Sequence, residues 1–344
     1  MALDPKTGGI LGLVSLPSFN SNLLSRGISL EELKSLQEDP LKPFLNRVIS
    51  GGYVTGSTIK PLTALAALEE KIIDPDLKLY APLELCLFNR YTGQSECFYD
   101  WQFHGWTDMR RAIAESVNPY FYIIGGGYVR PGSADSRLPS NFKGLGEANI
   151  RKWLSSFSWG KKTGIDLPGE IEGRIPDPEW KNSYFKNAAD KTWTIGDTYH
   201  LSIGQGSLAI TPLQVALSFS VIANGGTIYQ PQVVQKIQGG QDFEPKVIAN
   251  NFLNPENLEV VREGMRQAVT EGSSRSLLSL PVKAAAKTGT AQITNKDYLH
   301  HWVTVFAPYE DPEIVLTVMI EDVKGLQSAT LPVAREILNW YFKK

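Results

Sequence analysis

The sequence has no excess of positive charge. Its 34 lysines and arginines stand against 36 aspartates and glutamates, a net charge of −2. A general nucleic-acid binder is visibly basic, so that class is excluded. Cysteine is scarce: two residues cannot build a disulfide-held fold. No apolar run approaches the ~20 residues that span a bilayer. Met1 is followed by ALDPKTGG, which has neither the basic nor the apolar stretch of a secretory signal. Internal repeats and low-complexity tracts are absent too. The chain as given reads as soluble, and excision from a tethered protein fits the same observations. What is present is 42% hydrophobic and 20% charged residues, a composition that excludes a disordered chain and a collagen-like repeat. The length alone, 344 residues, suggests about two domains.

The segment GGILGLVSL (8–16) follows a turn at Asp4-Pro5-Lys6-Thr7-Gly8 and predicts the second strand of a hairpin whose first strand is very short. Residues 17–50 are polar and predict short helices and loops. STIKPLTALAALEEK (57–71) predicts a helix opened by Ser57 or a neighbour. Residues 76–105 read as irregular and hold both cysteines. Helices are expected at 107–116 and 119–128, broken before Pro119. A loop-and-helix excursion follows over 130–200. TPLQVALSFSVIANGG (211–226) predicts a helix closed by two glycines. Three strands are expected at 282–293, 301–309 and 313–322, the last two joined at Pro308-Tyr309-Glu310-Asp311-Pro312. An amphipathic helix closes the chain at 331–344. Strands at both chain ends with helices between predict one sheet assembled from the termini around an inserted helical region.

Three short patterns can carry chemistry. Ser57-x-x-Lys60 puts an amine beside a hydroxyl on one helix face. A serine becomes nucleophilic when a neighbouring base takes its proton, and a lysine serves as that base when burial or nearby positive charge lowers its pKa. The same spacing recurs at Ser140/Lys143, Ser158/Lys161 and Ser183/Lys186, where a cap followed by a surface lysine is the plain meaning. Ser57 differs in its glycine-rich approach and the long apolar helix after it. Ser116-Val117-Asn118 sits at the helix break, where serine and asparagine are also common caps; Ser18-Phe19-Asn20 has the same form. Lys-Thr-Gly occurs at 6–8, 162–164 and 287–289, and only the third follows a strand. A glycine inside a strand marks close approach to the backbone. There Lys287 offers charge, Thr288 and Thr290 offer hydroxyls, and the strand edge can pair with an extended peptide.

In that order the three patterns are the set of penicillin-binding proteins and related β-lactamases. The chain resembles the transpeptidase domain of a class B penicillin-binding protein. ALDPKTGGILGLVSLPSF resembles the opening hairpin of that family, and TGIDLPGEIEGRIP (163–176), GDTYHLSIGQGSLAITPLQVA (196–216) and NGGTIYQPQVV (224–234) resemble further signatures. The resemblance implies an α/β (α+β) fold of the penicillin-binding protein/serine β-lactamase type: an antiparallel sheet flanked by helices, with an inserted helical region. It implies one transpeptidase domain over 1–344, its sheet part from 1–20 and 282–344 and its helical and loop part from 21–281, without the family's membrane anchor and pedestal. Ser57 is then the acylated nucleophile and Lys60 its base. Ser116 relays a proton to the leaving group, and Asn118 hydrogen-bonds the substrate peptide. Lys287 contributes charge. Thr288, Gly289 and Thr290 line the substrate strand, the two threonines holding a terminal carboxylate. The N–H groups of Ser57 and Thr290 form an oxyanion hole. The implied reaction is D,D-transpeptidation of D-Ala-D-Ala stem peptides through a serine acyl-enzyme that β-lactams trap.

The segment CLFNRYTGQSECFYDWQFHG (86–105) and the GDT…GQG block resemble the elongation-type penicillin-binding protein 2 more than the division type. Catalysis is expected to need no cofactor. Some relatives hold a structural zinc here, so Cys86, Cys97, Asp100 and His104 are candidate tetrahedral ligands; a Cys86–Cys97 disulfide and two unlinked thiols are the alternatives. The implied partners are peptidoglycan stem peptides, β-lactams, and a membrane glycan-strand polymerase with elongation-complex proteins reached through the pedestal. No nucleic acid is expected. The expected location is the outer face of a bacterial cytoplasmic membrane. Other readings are a division-type transpeptidase, a D,D-carboxypeptidase or β-lactamase with Glu170 or Glu172 as deacylating base, and a non-catalytic penicillin-binding sensor or scaffold. His200, His300 and His301 read as structural, Trp180 and Trp193 as packing residues. Gly204-Gln205-Gly206 lacks the Lys-Ser/Thr ending of a phosphate loop and reads as a turn at the active-site rim.

Overall fold

The computed structural model describes residues 1–88, 93–132, 134–240, 242, 244–293, 298–325 and 328–343. Its centre is a five-stranded antiparallel sheet built from β1 (Ala2–Leu3), β2 (Ile10–Gly12), β3 (Ala285–Gln292), β4 (Leu299–Ala307) and β5 (Ile314–Val323), in the order β3-β4-β5-β1-β2. The expected strands near the C-terminus appear within a few residues of their predicted bounds. β4 is buried on both faces, from His300 through Ala307. Trp302 and Phe306 face one core; Val303, Val305 and Ala307 alternate into the other. This two-sided burial explains why LHHWVTVFA does not alternate between apolar and polar residues.

The second core is closed by the last helix, Thr330–Tyr341, whose Leu331, Ala334 and Leu338 are buried at helical spacing. The larger core holds the helices that carry the site: α1 (Lys60–Glu69), α2 (Met109–Glu115), α3 (Asn118–Gly126), α4 (Ile195–Ser202), α5 (Pro212–Ala223) and α6 (Pro255–Thr270). α5 is buried from end to end and opens on a capping box between Thr211 and Gln214, with Pro212 at its first position.

α6 is the longest helix among the described residues and has no counterpart among the predicted elements. Its signals are present: Asn254 caps the Glu256 N–H, Pro255 follows, and Leu258, Val261, Met265 and Ala268 form a buried stripe. The stripe also takes in Arg262, whose guanidinium donates to the carbonyls of Ile222, Ala223 and Tyr309. It thereby satisfies the C-terminal end of α5 and ties it to the β4–β5 turn.

Residues 76–105, expected to be irregular, contain two antiparallel ribbons. Leu79–Ala81 pairs with Gly105–Thr107, and Glu84–Phe88 pairs with Ser95–Tyr99. Their strands are three to five residues long, and Glu84, Phe88 and Tyr99 point outward, so the sequence carries no clean period of two. Residues 89–92 of the cysteine segment lie outside the described residues.

Candidate active site

Gly56 has φ +53° and donates its N–H to the Gly204 carbonyl at 2.8 Å. It starts a 3-10 turn, Gly56–Ile59, that runs directly into α1. Residues three apart eclipse in a 3-10 turn, so Ser57 and Lys60 share a face. Lys60 is fully buried. Its Nζ lies 2.7 Å from the Ser116 carbonyl, 2.6 Å from Asn118 Oδ1 and 3.3 Å from Ser116 Oγ. The Ser57 hydroxyl makes no hydrogen bond among the described residues. Contacts of this kind commonly close only when substrate is bound.

The α2–α3 break supplies the next groups. Ser116 caps α2 in the left-handed region, φ +62°, a conformation that costs a non-glycine residue roughly 1–2 kcal/mol. Pro119 prevents the helix from continuing. The bend leaves the Ser116 hydroxyl between two amines: Lys60 Nζ at 3.3 Å and Lys287 Nζ, which donates to it at 2.8 Å. Val117 turns into the core with no exposure, and Asn118 opens α3. Asp100 Oδ2 accepts from the Asn118 N–H at 3.2 Å, while Asn118 Nδ2 reaches the Tyr99 carbonyl at 3.4 Å.

β3 forms the opposite wall. Gly289 and Gly56 let it lie against the Gly56–Ile59 turn. A Cβ on Gly289 would meet the Thr55 carbonyl at 2.7 Å, and one on Gly56 would meet the Thr290 carbonyl at 2.6 Å. Lys287 is fully buried and also donates to the Thr288 carbonyl at 3.0 Å. The Thr288 hydroxyl donates to Ser273 Oγ at 3.0 Å. β3 is an edge strand. Gln205 Nε2 donates to the Thr290 carbonyl at 3.4 Å, and the Gln292 N–H donates to Gln205 Oε1 at 3.3 Å. The N–H and C=O of one strand residue project to the same side. The Thr290 N–H therefore faces this free edge as well.

Burial sets the electrostatics. It lowers Lys60 to about 7, with the Asp100 charge opposing the shift. Burial pushes Lys287 well below its usual value, and the Lys60 charge adds to that. Asp100 is raised by burial against the pull of Lys60. Two amines sharing one hydroxyl in a dry site cannot both stay protonated cheaply. An amine close to neutrality, a nucleophile on the same turn and a hydroxyl bridging two amines are the parts needed to move a proton during acyl transfer.

The structure thus brings together Ser57, Lys60, Ser116, Asn118, Lys287, Thr288, Gly289 and Thr290. The zinc set is not assembled. Cys86 and Cys97 lie directly opposite across the hairpin and are joined as a disulfide, so neither offers a thiolate. Asp100 Oδ2 is 3.5 Å from His104 Nε2, while His104 Nδ1 is 2.8 Å from Glu115 Oε2. Asp100 serves the backbone of Asn118 instead. Glu170 accepts from Thr163 N, Thr163 Oγ1 and Gly164 N, and so fastens its own loop. Gln205 and Ser273 carry contacts that the motifs did not announce. The glycines flanking Gln205 signalled a turn at the rim; Ser273, in a polar Gly-Ser-Ser turn, gave no signal.

A profile of the penicillin binding protein transpeptidase domain matches residues 1–341. Among curated relatives, the peptidoglycan D,D-transpeptidase MrdA of Haemophilus influenzae is 31% identical, the alignment covering 100% of this chain and 52% of the relative. MrdA of Acinetobacter baumannii is 35% identical, with 99% and 50% covered. The chain spans about half the length of the curated relatives it matches. Among solved structures, a penicillin-binding protein (PBP2) from Helicobacter pylori superposes with a TM-score of 0.82 at 29% identity, covering 99% of this chain and 59% of the other. Pseudomonas aeruginosa PBP2 in complex with WCK 5153 gives 0.81 at 30% identity, covering 98% and 72%.

Proposed function

The chain belongs to the penicillin-binding protein transpeptidase family, and on that premise we propose that it is a peptidoglycan D,D-transpeptidase of the elongation type. Its α/β (α+β) architecture is the fold of that family. The observation that carries the reading is the convergence of Lys60 and Lys287 on the Ser116 hydroxyl beside Ser57, with Lys60 held at about 7.

Ser57 Oγ attacks the carbonyl of the terminal D-Ala-D-Ala bond while its proton passes to Lys60 Nζ. The oxyanion collects the N–H groups of Ser57 and Thr290. The C–N bond then breaks. The proton returns through the Ser116 hydroxyl to the departing amine, and D-Ala leaves an ester on Ser57. An amine from a second strand attacks that ester, forms the new amide and restores the Ser57 hydroxyl. Asn118 orients the donor amide. Thr288, Thr290 and the charge of Lys287 hold the terminal carboxylate, and Gly289 keeps the strand close. Every group in the cycle belongs to this chain, so no cofactor enters it. A β-lactam follows the first half, but its leaving amine stays tethered and blocks the second.

The elongation role is supported by relatives named MrdA and by the likeness to a Helicobacter pylori complex between PBP2 and MreC, 30% identical with TM-score 0.83. A protein of that kind and a glycan-strand polymerase are the partners we assign, at the outer face of a bacterial cytoplasmic membrane. No helix among the described residues is long and apolar enough to cross one. A β-lactamase reading is not favoured, because Glu170 is engaged in its own loop.

Intact mass after incubation with benzylpenicillin tests the assignment. A lasting one-to-one adduct is expected on the parent and none on Ser57→Ala. Intact drug with no adduct overturns the reading, and rapid drug loss without an adduct makes the protein a hydrolase.

A further inference from the structure

Asn118 has two tasks in the acyl-transfer reading. It meets the donor amide, and its Oδ1 lies 2.6 Å from Lys60 Nζ. It also opens α3 without help from its neighbour, since Val117 makes no side-chain cap. The first N–H groups of a helix have no partner within it. The Asn118 N–H finds one from outside: Asp100 Oδ2 accepts it at 3.2 Å, and a carboxylate is the group that a helix start favours. The Asn118 side chain is held from the same place, its Nδ2 donating to the Tyr99 carbonyl at 3.4 Å. The Tyr122 hydroxyl of α3 donates to that carbonyl as well, at 3.5 Å.

Tyr99 and Asp100 lie at the end of the ribbon Glu84–Phe88/Ser95–Tyr99. The Asp100 N–H donates to the Leu83 carbonyl at 2.8 Å. The Asp100 carboxylate is buried, with His104 Nε2 3.5 Å from Oδ2. Phe98 packs on Tyr122 and Tyr199, with ring centroids 5.6 and 5.0 Å apart. The ribbon gains no third strand among the described residues, and a two-stranded ribbon is marginal on its own. The Cys86–Cys97 bond joins its strands covalently. In the register Cys86 faces Cys97, Leu85 faces Phe98 and Glu84 faces Tyr99. The bond is thus two residue pairs from the carbonyl that holds the Asn118 side chain, and the carboxylate that holds its N–H belongs to the next residue.

We propose that the disulfide-closed ribbon is a clamp on Asn118, with Asp100 as its positioning residue, and that acyl transfer runs at full rate only while the Cys86–Cys97 bond is closed. The proposal rests on the acyl-transfer reading. Opening the bond leaves the strands joined by hydrogen bonds alone. Tyr99 and Asp100 then shift against Asn118, which loosens the amide contact and the seat of Lys60. Reduction adds two electrons and two protons to the sulfurs and gives two thiols. A phosphine supplies the electrons and takes up a water oxygen to become its oxide. The clamp ties the catalytic geometry to an oxidising compartment.

The test compares the oxidised chain, the chain reduced with a phosphine, and Asp100→Ala. Adduct formation is timed by intact mass with benzylpenicillin, whose side chain carries an amide, and with 6-aminopenicillanic acid, which has a bare amine there. Reduction is expected to slow benzylpenicillin about tenfold and 6-aminopenicillanic acid no more than about twofold. Reoxidation should restore both rates. Asp100→Ala should reproduce the selective loss, and reducing that variant should add less than about twofold, because both changes act through one contact. Backbone amide exchange in the reduced parent should quicken in Ser95–Tyr99 and the start of α3 and stay unchanged in β3, β4 and β5. An unchanged benzylpenicillin rate, equal slowing of the two drugs, or full additivity with Asp100→Ala overturns the clamp. Exchange that quickens throughout makes the bond a staple of the whole fold and overturns the clamp too. Absence of any adduct on the oxidised parent overturns the acyl-transfer reading, whereas an adduct indifferent to reduction overturns the clamp alone.

Discussion

Lys60 carries the sharpest prediction at the scale of single residues. Burial holds its amine at about 7, and in the proposed mechanism it takes the Ser57 proton, which it can do only when neutral. The second-order rate of acylation by benzylpenicillin should therefore climb from pH 6 to pH 8 and level off above. Lys60→Met should lower it by about 10²–10⁴-fold. A flat pH profile would move the base elsewhere. The stability sign follows from the same shift. Between about 7 and the ordinary lysine value of about 10.4, the unfolded chain binds the proton that the folded chain refuses. Stability then rises with pH over that window; Lys287, lowered by burial in the same direction, adds to the slope, so Lys60→Met should reduce it in denaturant melts without abolishing it. Much of this site is legible in the sequence because Ser57 and Lys60 share one turn, and Ser116 and Asn118 straddle one proline-enforced break. Ser273 and Gln205 are not legible. Their partners, Thr288, Thr290 and Gln292, are 15 to 87 residues away, and only tertiary packing brings them close.

Among the elements, the seam between β3 and the nucleophile turn matters most. It closes because neither Gly289 nor Gly56 has a Cβ. Gly289→Ala should push β3 away from Thr55 and Thr58 and cost about 100-fold in acylation, read beside a thermal melt showing the protein still folded. An unchanged rate would mean that the seam has slack. The hairpin Glu84–Phe88/Ser95–Tyr99 bears on the zinc question. Its disulfide closes a loop of 11 residues' separation, worth about 3 kcal/mol in unfolded-chain entropy. Cys86→Ser with Cys97→Ser should lose about 2–3 kcal/mol, while EDTA should leave the melt of the parent in place. A shift with EDTA would restore the metal. The cysteines were legible as a pair but not as a bond, because nothing in ELCLF or SECFY announces the register that sets them opposite. α6 was missed although its cap and stripe are both present. Its buried arginine breaks the apolar face, and only the buried carbonyls at the end of α5, left without helix partners, explain it.

For the molecule as a whole, the sheet is the organising object. β1 is two residues long and pairs with β5 through Ala2 with Leu316 and Leu3 with Val315. Leu3 has no exposure. Leu3→Ala should cost about 2–5 kcal/mol in a urea melt, with acylation below the transition within about twofold of the parent; an unchanged melt would show that the two-residue strand is ornamental. That both chain ends feed one sheet was legible from strands at each end. The strand order was not, because no local signal distinguishes β1 beside β5 from β1 beside β3.

The sheet also sets a timetable for synthesis. Lys287 reaches Ser116 only when β3 lies on β4 and β4 on β5; β1 has β2 beside it early, but its other edge waits for the last third of the chain to be made. At ribosomal speed that wait is on the order of tens of seconds. Throughout it Ser57 and Lys60 exist without Lys287 and without the β3 edge that faces them. A chain stopped before β3 therefore holds only part of the site, which is complete once β3, β4 and β5 have been made.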